Sequence, residues 1–161
     1  MNDPGAAEFS ERAFRKTLLL ELKRTAISKR PFILMLVSLA DIPVGYNGHG
    51  PRGKAVASLA SAIRDTDVVG WYRTNHVLGI LYTEIGSSAR LAVDSIMERV
   101  NECLACCLSA EDMKRLSMAV YLLPKKHLTK DRSKGGAAYP GFVEAHSPQE
   151  SDVLPEAQSF H

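Results

Sequence analysis

The chain is poor in cysteine, in net charge and in long apolar runs. Its 161 residues hold three cysteines, all between positions 103 and 107. An odd, clustered set of thiols is not a disulfide framework. The balance of 20 Lys+Arg against 18 Asp+Glu leaves a charge of only +2. That balance lacks the basic surplus by which nucleic acid is held, so no nucleic-acid partner is expected. The longest apolar stretch, Phe32–Ala40, falls well short of the roughly 20 residues a membrane-spanning helix needs. Residues Met1–Ser10 are polar and acidic, with no apolar signal core, so a cytoplasmic protein without membrane insertion is expected. What is present is a 45% apolar composition, which argues against wholesale disorder, on a length suited to one domain.

Along the chain, residues 1–7 read as a frayed start. From Glu8 to Lys29 a helical period places Phe14, Leu18, Leu22 and Ile27 on one face and a run of Arg and Lys on the other, with Pro31 as a stop. Phe32–Leu39 is an unbroken apolar run of strand length, read as a buried central strand. Asp41–Arg52, with two prolines and three glycines, reads as a loop, and the alanine-rich Lys54–Arg64 as a helix. Asp67–Tyr72 and Val77–Glu84 are β-rich runs around a short polar gap, the pattern of a hairpin. A helix capped by Ser87 or Ser88 runs to about Cys107, with Val93, Ile96, Met97, Val100, Leu104 and Cys107 as its buried stripe, and Leu116–Leu123 is the last strand. Residues 8–123 thus form one α+β domain of helix followed by β-α-β-β-α-β, a ferredoxin-like arrangement with helices on one face of an antiparallel sheet. From Pro124 a basic run, Lys125–Lys134, passes into an acidic, proline-containing end without periodicity, so residues 124–161 read as a disordered tail.

Several features come in a familiar order. Arg30-Pro31-Phe32 leads the apolar strand, Gly48-His49 lies in the loop, and Gly53 opens the alanine-rich helix. Arg64-x-x-Asp67 ends that helix, and the hairpin follows. In order and spacing these resemble the GGDEF family, the diguanylate cyclases of bacterial signalling, over roughly residues 10–123. The resemblance implies a nucleotide-cyclase-like palm with an extra leading helix.

The departures are chemical. The family's Gly-Gly-Asp/Glu-Glu-Phe hairpin corresponds to Arg73-Thr74-Asn75-His76-Val77. Its two acids become Asn75 and His76, and the metal-binding acids of the first strand fall at Ser38 and Ala40. Joining two nucleotides in this family needs divalent metals held by carboxylates, and these four residues supply no negative charge. No catalytic residue, metal ligand or cofactor is therefore expected; magnesium would be required only of an active cyclase. His76 alone on a hairpin tip is a weak metal ligand.

The resemblance also implies a regulatory site. In the family an Arg-x-x-Asp motif five residues ahead of the hairpin binds cyclic di-GMP, and Arg64 and Asp67 stand at that spacing, with Arg90 or Arg99 as candidate helpers. Arg64 could fork onto phosphate or stack on guanine, while Asp67 accepts from the base. The same pair also serves a structural reading, Arg64 closing a helix and Asp67 capping a turn. Trp71, Tyr72 and Arg73 are the residue types of protein-interface anchors, so a protein partner is expected. Gly48-His49-Gly50-Pro51-Arg52-Gly53-Lys54 carries part of a P-loop pattern, but has Ala55 where a hydroxyl should hold magnesium. Cys103, Cys106 and Cys107 read as small buried side chains of a helix rather than a zinc site. Three readings follow: an inactive GGDEF-like receptor of cyclic di-GMP, a protein-interaction module without ligand, and a cyclase with an atypical metal site.

Overall fold

The computed structural model describes residues 10–46, 49–86 and 88–123; residues 1–7 and 124–161, for which a frayed start and a disordered tail are expected, lie outside the described residues. Its elements are α1 (Glu11–Ser28), β1 (Phe32–Ser38), α2 (Pro51–Ala62), β2 (Val68–Arg73), β3 (Val77–Tyr82), α3 (Ala89–Cys107), α4 (Ala110–Arg115) and β4 (Ser117–Leu123). The four strands form one antiparallel sheet in the order β2-β3-β1-β4. The apolar β1 is central, as its unbroken hydrophobic run requires, since both of its faces are covered.

The strands alternate between two cores. Ile33, Met35, Val37, Leu78, Ile80, Met118 and Val120 face α2 and α3, meeting Leu59, Val93, Met97, Val100 and Leu104. Phe32, Leu34, Leu36, Leu81, Tyr72 and Tyr121 face the other way, where α1 covers them with Phe14 and Leu18. Helices therefore lie on both faces of the sheet, not on one. The expectation failed because α1's apolar face needs a partner of its own and the α2–α3 face is already full.

What lets α1 sit close is a pair of glycines. Gly70 and Gly79 are register partners in β2 and β3. A Cβ on Gly79 would lie 2.4 Å from the Phe14 ring carbons, and one on Gly70 would lie 2.9 Å from Phe14 Cβ. The two missing side chains make the socket that the Phe14 ring fills, a burial worth about 1.5–3 kcal/mol.

Helix boundaries follow local chemistry. Ser10 caps α1, its hydroxyl accepting from Ala13 N at 3.1 Å. The helix stops at Ser28, Lys29 taking a left-handed φ of 62°. Its apolar stripe departs from expectation at one place: Ile27 is 85% exposed, and Thr25 is buried instead. Counting seven residues from Leu18 reaches Thr25, on the buried face, and nine reaches Ile27, on the far side. Thr25 is tolerated inside because its hydroxyl donates to the Arg30 carbonyl. Helix α2 starts at Pro51, earlier than the glycine and proline content suggests, because proline suits the first helical position. The short α4 was not expected at all; its cap is Ser109, which accepts from Asp112 N at 3.0 Å. Among the described residues no helix is long and apolar enough to cross a membrane.

Candidate functional site

The sheet has two ends, and each carries one of the two sites expected from the sequence. The first lies where β1 finishes beside the β2–β3 hairpin. Ser38 pairs with Val77, and Leu39 N donates to His76 O at 2.8 Å. The hairpin turns through Asn75 in a left-handed conformation, φ 61°, a geometry asparagine tolerates. His76 N donates to Arg73 O at 3.0 Å, and His76 Nδ1 lies 2.8 Å from the Thr74 carbonyl, so that nitrogen carries a proton. Ser38, Ala40, Asn75 and His76 are thus neighbours in space.

A residue not singled out in the sequence lies across this corner. Arg52, in the first turn of α2, donates from Nη1 to Asn75 O (3.0 Å), from Nη2 to Ala40 O (3.0 Å) and Ile42 O (2.8 Å), and from Nε to Ile42 O (3.1 Å). Its guanidinium ties the loop after β1 to the hairpin tip. The loop delivers Arg52 by doubling back: Gly50 N donates to Val44 O at 3.2 Å, and a Cβ on Gly50 would sit 2.4 Å from Gly45 Cα. The same contacts spend the amides a P-loop would need. Gly50 N and Arg52 N already serve Val44 and Pro43 carbonyls, and Pro51 has no N–H to give.

On the α1 side of the hairpin, Glu11 accepts from Thr74 N and Thr74 Oγ1, both at 2.8 Å, and from Arg15 Nε at 3.2 Å. Burial pushes the Glu11 carboxyl up, but the Thr74 and Arg15 hydrogen bonds outweigh it and hold the group below the usual carboxylate range. Among the described residues no group of three or more His, Cys, Asp or Glu side chains is arranged to hold a metal ion. The groups at this end are backbone carbonyls, the Arg52 guanidinium that they accept from, and the Glu11 carboxylate, which already accepts from Thr74 and Arg15.

The second end holds Arg64 and Asp67, and here the structure brings the expected pair together. Asp67 has a fully buried side chain. Its Oδ2 accepts from Arg64 N (3.0 Å) and Arg64 Nε (3.1 Å), and its Oδ1 from Arg64 Nη2 (3.0 Å). Arg64 Nη2 also donates to Thr83 O at 2.9 Å, locking the α2–β2 turn to the end of β3. The bond to Asp67 raises the pKa of Arg64 further above an already high value. Burial likewise raises the hydroxyl of neighbouring Tyr82, with Asp67 adding to the effect and Arg99 opposing it.

Of the two candidate helpers, Arg99 is the one at this end. It lines a crevice of about 10 Å³ with Leu59, Ile63 and Tyr82, room for a single water. Arg90 and Arg99 are nine residues apart on α3, which places them about 180° apart around the helix, so the two cannot converge on one ligand.

The aromatic pair divides between the two faces. Trp71 is half-buried against the α2–α3 core, whereas Tyr72 is fully buried on the α1 face. The Arg15 guanidinium lies 4.3 Å from the Tyr72 ring centroid, and Arg15 Nε also donates to Tyr72 O at 3.1 Å. Trp71, Tyr72 and Arg73 therefore do not form one contact surface, because successive strand residues point to opposite faces. The thiols hold α3 to α2: Cys103 Sγ is 2.8 Å from Ser58 Oγ and donates to Ser58 O at 3.2 Å. Burial pushes the Cys107 thiol up, and Cys106 is exposed.

Sequence reasoning missed Arg52 and Glu11. The Glu11/Arg15 spacing of four is visible as a helical ion pair. Neither the reach of Glu11 to Thr74 nor that of Arg52 to three carbonyls has a local signature. No known family model matches the chain, and no curated protein matches it.

Proposed function

We propose that the chain is a catalytically inactive relative of the GGDEF domains, built on the ferredoxin-like palm, that works as a regulatory protein-interaction module. The strand order β2-β3-β1-β4 with two crossing helices supports the palm reading. The observation that carries the functional reading is the corner at Ser38, Ala40, Asn75 and His76. Where the family would hold two metals on carboxylates, the Ala40 and Asn75 carbonyls accept from the Arg52 guanidinium, which would repel a divalent cation.

The Arg64/Asp67 end supports the interaction reading over the ligand reading. A cyclic di-GMP receptor would use Asp67 to accept from guanine, but both of its oxygens are taken and its side chain is buried. Arg64, 48% exposed, keeps only part of its guanidinium open to solvent.

Two measurements test the proposal. Incubation with GTP and magnesium or manganese is expected to give no dinucleotide or pyrophosphate above a protein-free blank; sustained product would overturn inactivity. Calorimetric titration with cyclic di-GMP is expected to show no heat into the high micromolar range. Heat abolished by Arg64→Ala would instead establish the receptor reading.

A further inference from the structure

We propose that the outward face of α1 is a docking surface for the acidic end of this same chain, residues 144–156. The surface comes first. Around the α1 axis, Phe14, Leu18 and Thr25 point into the sheet, and the opposite side carries Arg12, Lys16, Lys23 and Arg24, all exposed. Leu20 and Ile27 stand among them, 45% and 85% exposed. Exposed Lys29 and Arg30 continue the charge past the helix end. Of the two acids of α1, Glu11 is turned to Thr74 and Arg15, and Glu21 is paired with Arg24 at 2.6 Å, so one of the four cations is offset and Arg12, Lys16 and Lys23 carry the charge of the face. The result is a cationic face with two aliphatic side chains set into it, which calls for an acidic partner carrying aliphatic groups of its own.

The chain contains such a segment. Beyond Lys134 it has no Lys or Arg, and Glu144, Glu150, Asp152 and Glu156 fall together with Val143, Val153 and Leu154. The geometry of exit favours it. β4 ends at Leu123, which is the register partner of Phe32, only four residues beyond the end of α1 at Ser28. From Leu123 to Glu144 there are 21 residues, a span of up to about 70 Å, against an α1 length of about 27 Å. Tethering at this distance supplies an effective concentration on the order of millimolar, so weak, screened ion pairs suffice. Two exposed aliphatic side chains give too little apolar area to favour a membrane surface over a tethered segment.

Carbodiimide treatment of the full chain, which joins a lysine amine to a carboxylate in salt-bridge contact with loss of water, tests this directly. Peptide mass spectrometry is expected to find Lys16, Lys23 or Lys29 linked to Glu150, Asp152 or Glu156. The yield should exceed that of Lys54 and Lys114, exposed lysines of α2 and α4, by at least about tenfold. It should be unchanged on tenfold dilution and largely lost in 1 M salt, where the screening length falls to about 3 Å. In the full chain carrying E150Q, D152N and E156Q, the backbone amide resonances of Leu20 and Ile27 should shift relative to the unsubstituted chain. Links confined to the basic run Lys125–Lys134, or links only between separate chains, would overturn the proposal. So would unmoved Leu20 and Ile27 resonances, or protection of Lys16 and Lys23 by phosphatidylserine vesicles in the unsubstituted chain.

Discussion

The two ends of the sheet are each held by an arginine, and the two are partnered in opposite ways. Arg64 is matched to a buried carboxylate, Asp67, and adds a single carbonyl. Arg52 serves three backbone carbonyls and, among the described residues, has no carboxylate beside it. Both fasten a turn to a neighbouring strand end, but of the two only Arg64 does so through an ion pair. The difference shows that an Arg-x-x-Asp spacing can serve the scaffold, since here the pair closes the α2–β2 turn. At the other end a guanidinium does comparable work on backbone carbonyls.

The comparison can be broken most sharply at Asp67. Asp67→Ala strands the Arg64 backbone N–H and removes the acceptor of two guanidinium bonds. The half-exposed Arg64 head can rehydrate, so a loss of about 2–3 kcal/mol is expected, below the full cost of splitting a buried pair. Urea denaturation measures it, and a change under about 0.5 kcal/mol would mean that the pair is ornamental. A smaller loss, about 1–2 kcal/mol, is expected for Arg52→Ala, since its three carbonyl acceptors can turn to water. Arg52→Lys should recover little of it, because an ammonium cannot reach three carbonyls at once. Full recovery by Lys would show that charge rather than the guanidinium fork holds this end.

The smallest effect lies at Glu11 and sharpens the comparison through pH. Its folded-state carboxyl is held below the ordinary value, so it contributes stability that is present above its unfolded pKa of about 4.3 and is lost as pH falls through the folded value. The stability gap between the unsubstituted chain and Glu11→Gln should therefore be constant above about pH 5 and close below about pH 4. A gap that widens on acidification would reverse the assignment.

Much of the fold was legible. The unbroken run FILMLVS had to be central, the polar gap at 73–76 had to be a turn, and the α3 stripe from Val93 to Leu104 is buried as its period requires. The failures share a cause. Ile27 was placed inside because it is apolar, yet the helix geometry put Thr25 there, where a backbone acceptor was waiting. Tyr72 was named as a candidate partner contact for its residue type, yet the strand turns it into the α1-side core while Trp71 packs partly buried on the other face. Arg64 and Asp67 were named from their spacing as a candidate ligand pair, but whether such a pair faces a ligand or faces itself depends on burial, which no spacing reports.

By itself, then, the sequence determined the four strands, the three longer helices and their order, though not the short α4, and the absence of carboxylates at Ser38, Ala40, Asn75 and His76, because periodicity, turn chemistry and residue identity are local properties. Only the tertiary structure decided that α1 takes the opposite face through the Gly70/Gly79 socket, that Arg52 bridges the loop and the hairpin, and that Asp67 is spent on Arg64. Those contacts join residues brought together by chain reversal. Their energy depends on what is excluded from water beside them, a quantity that exists only once the chain is folded.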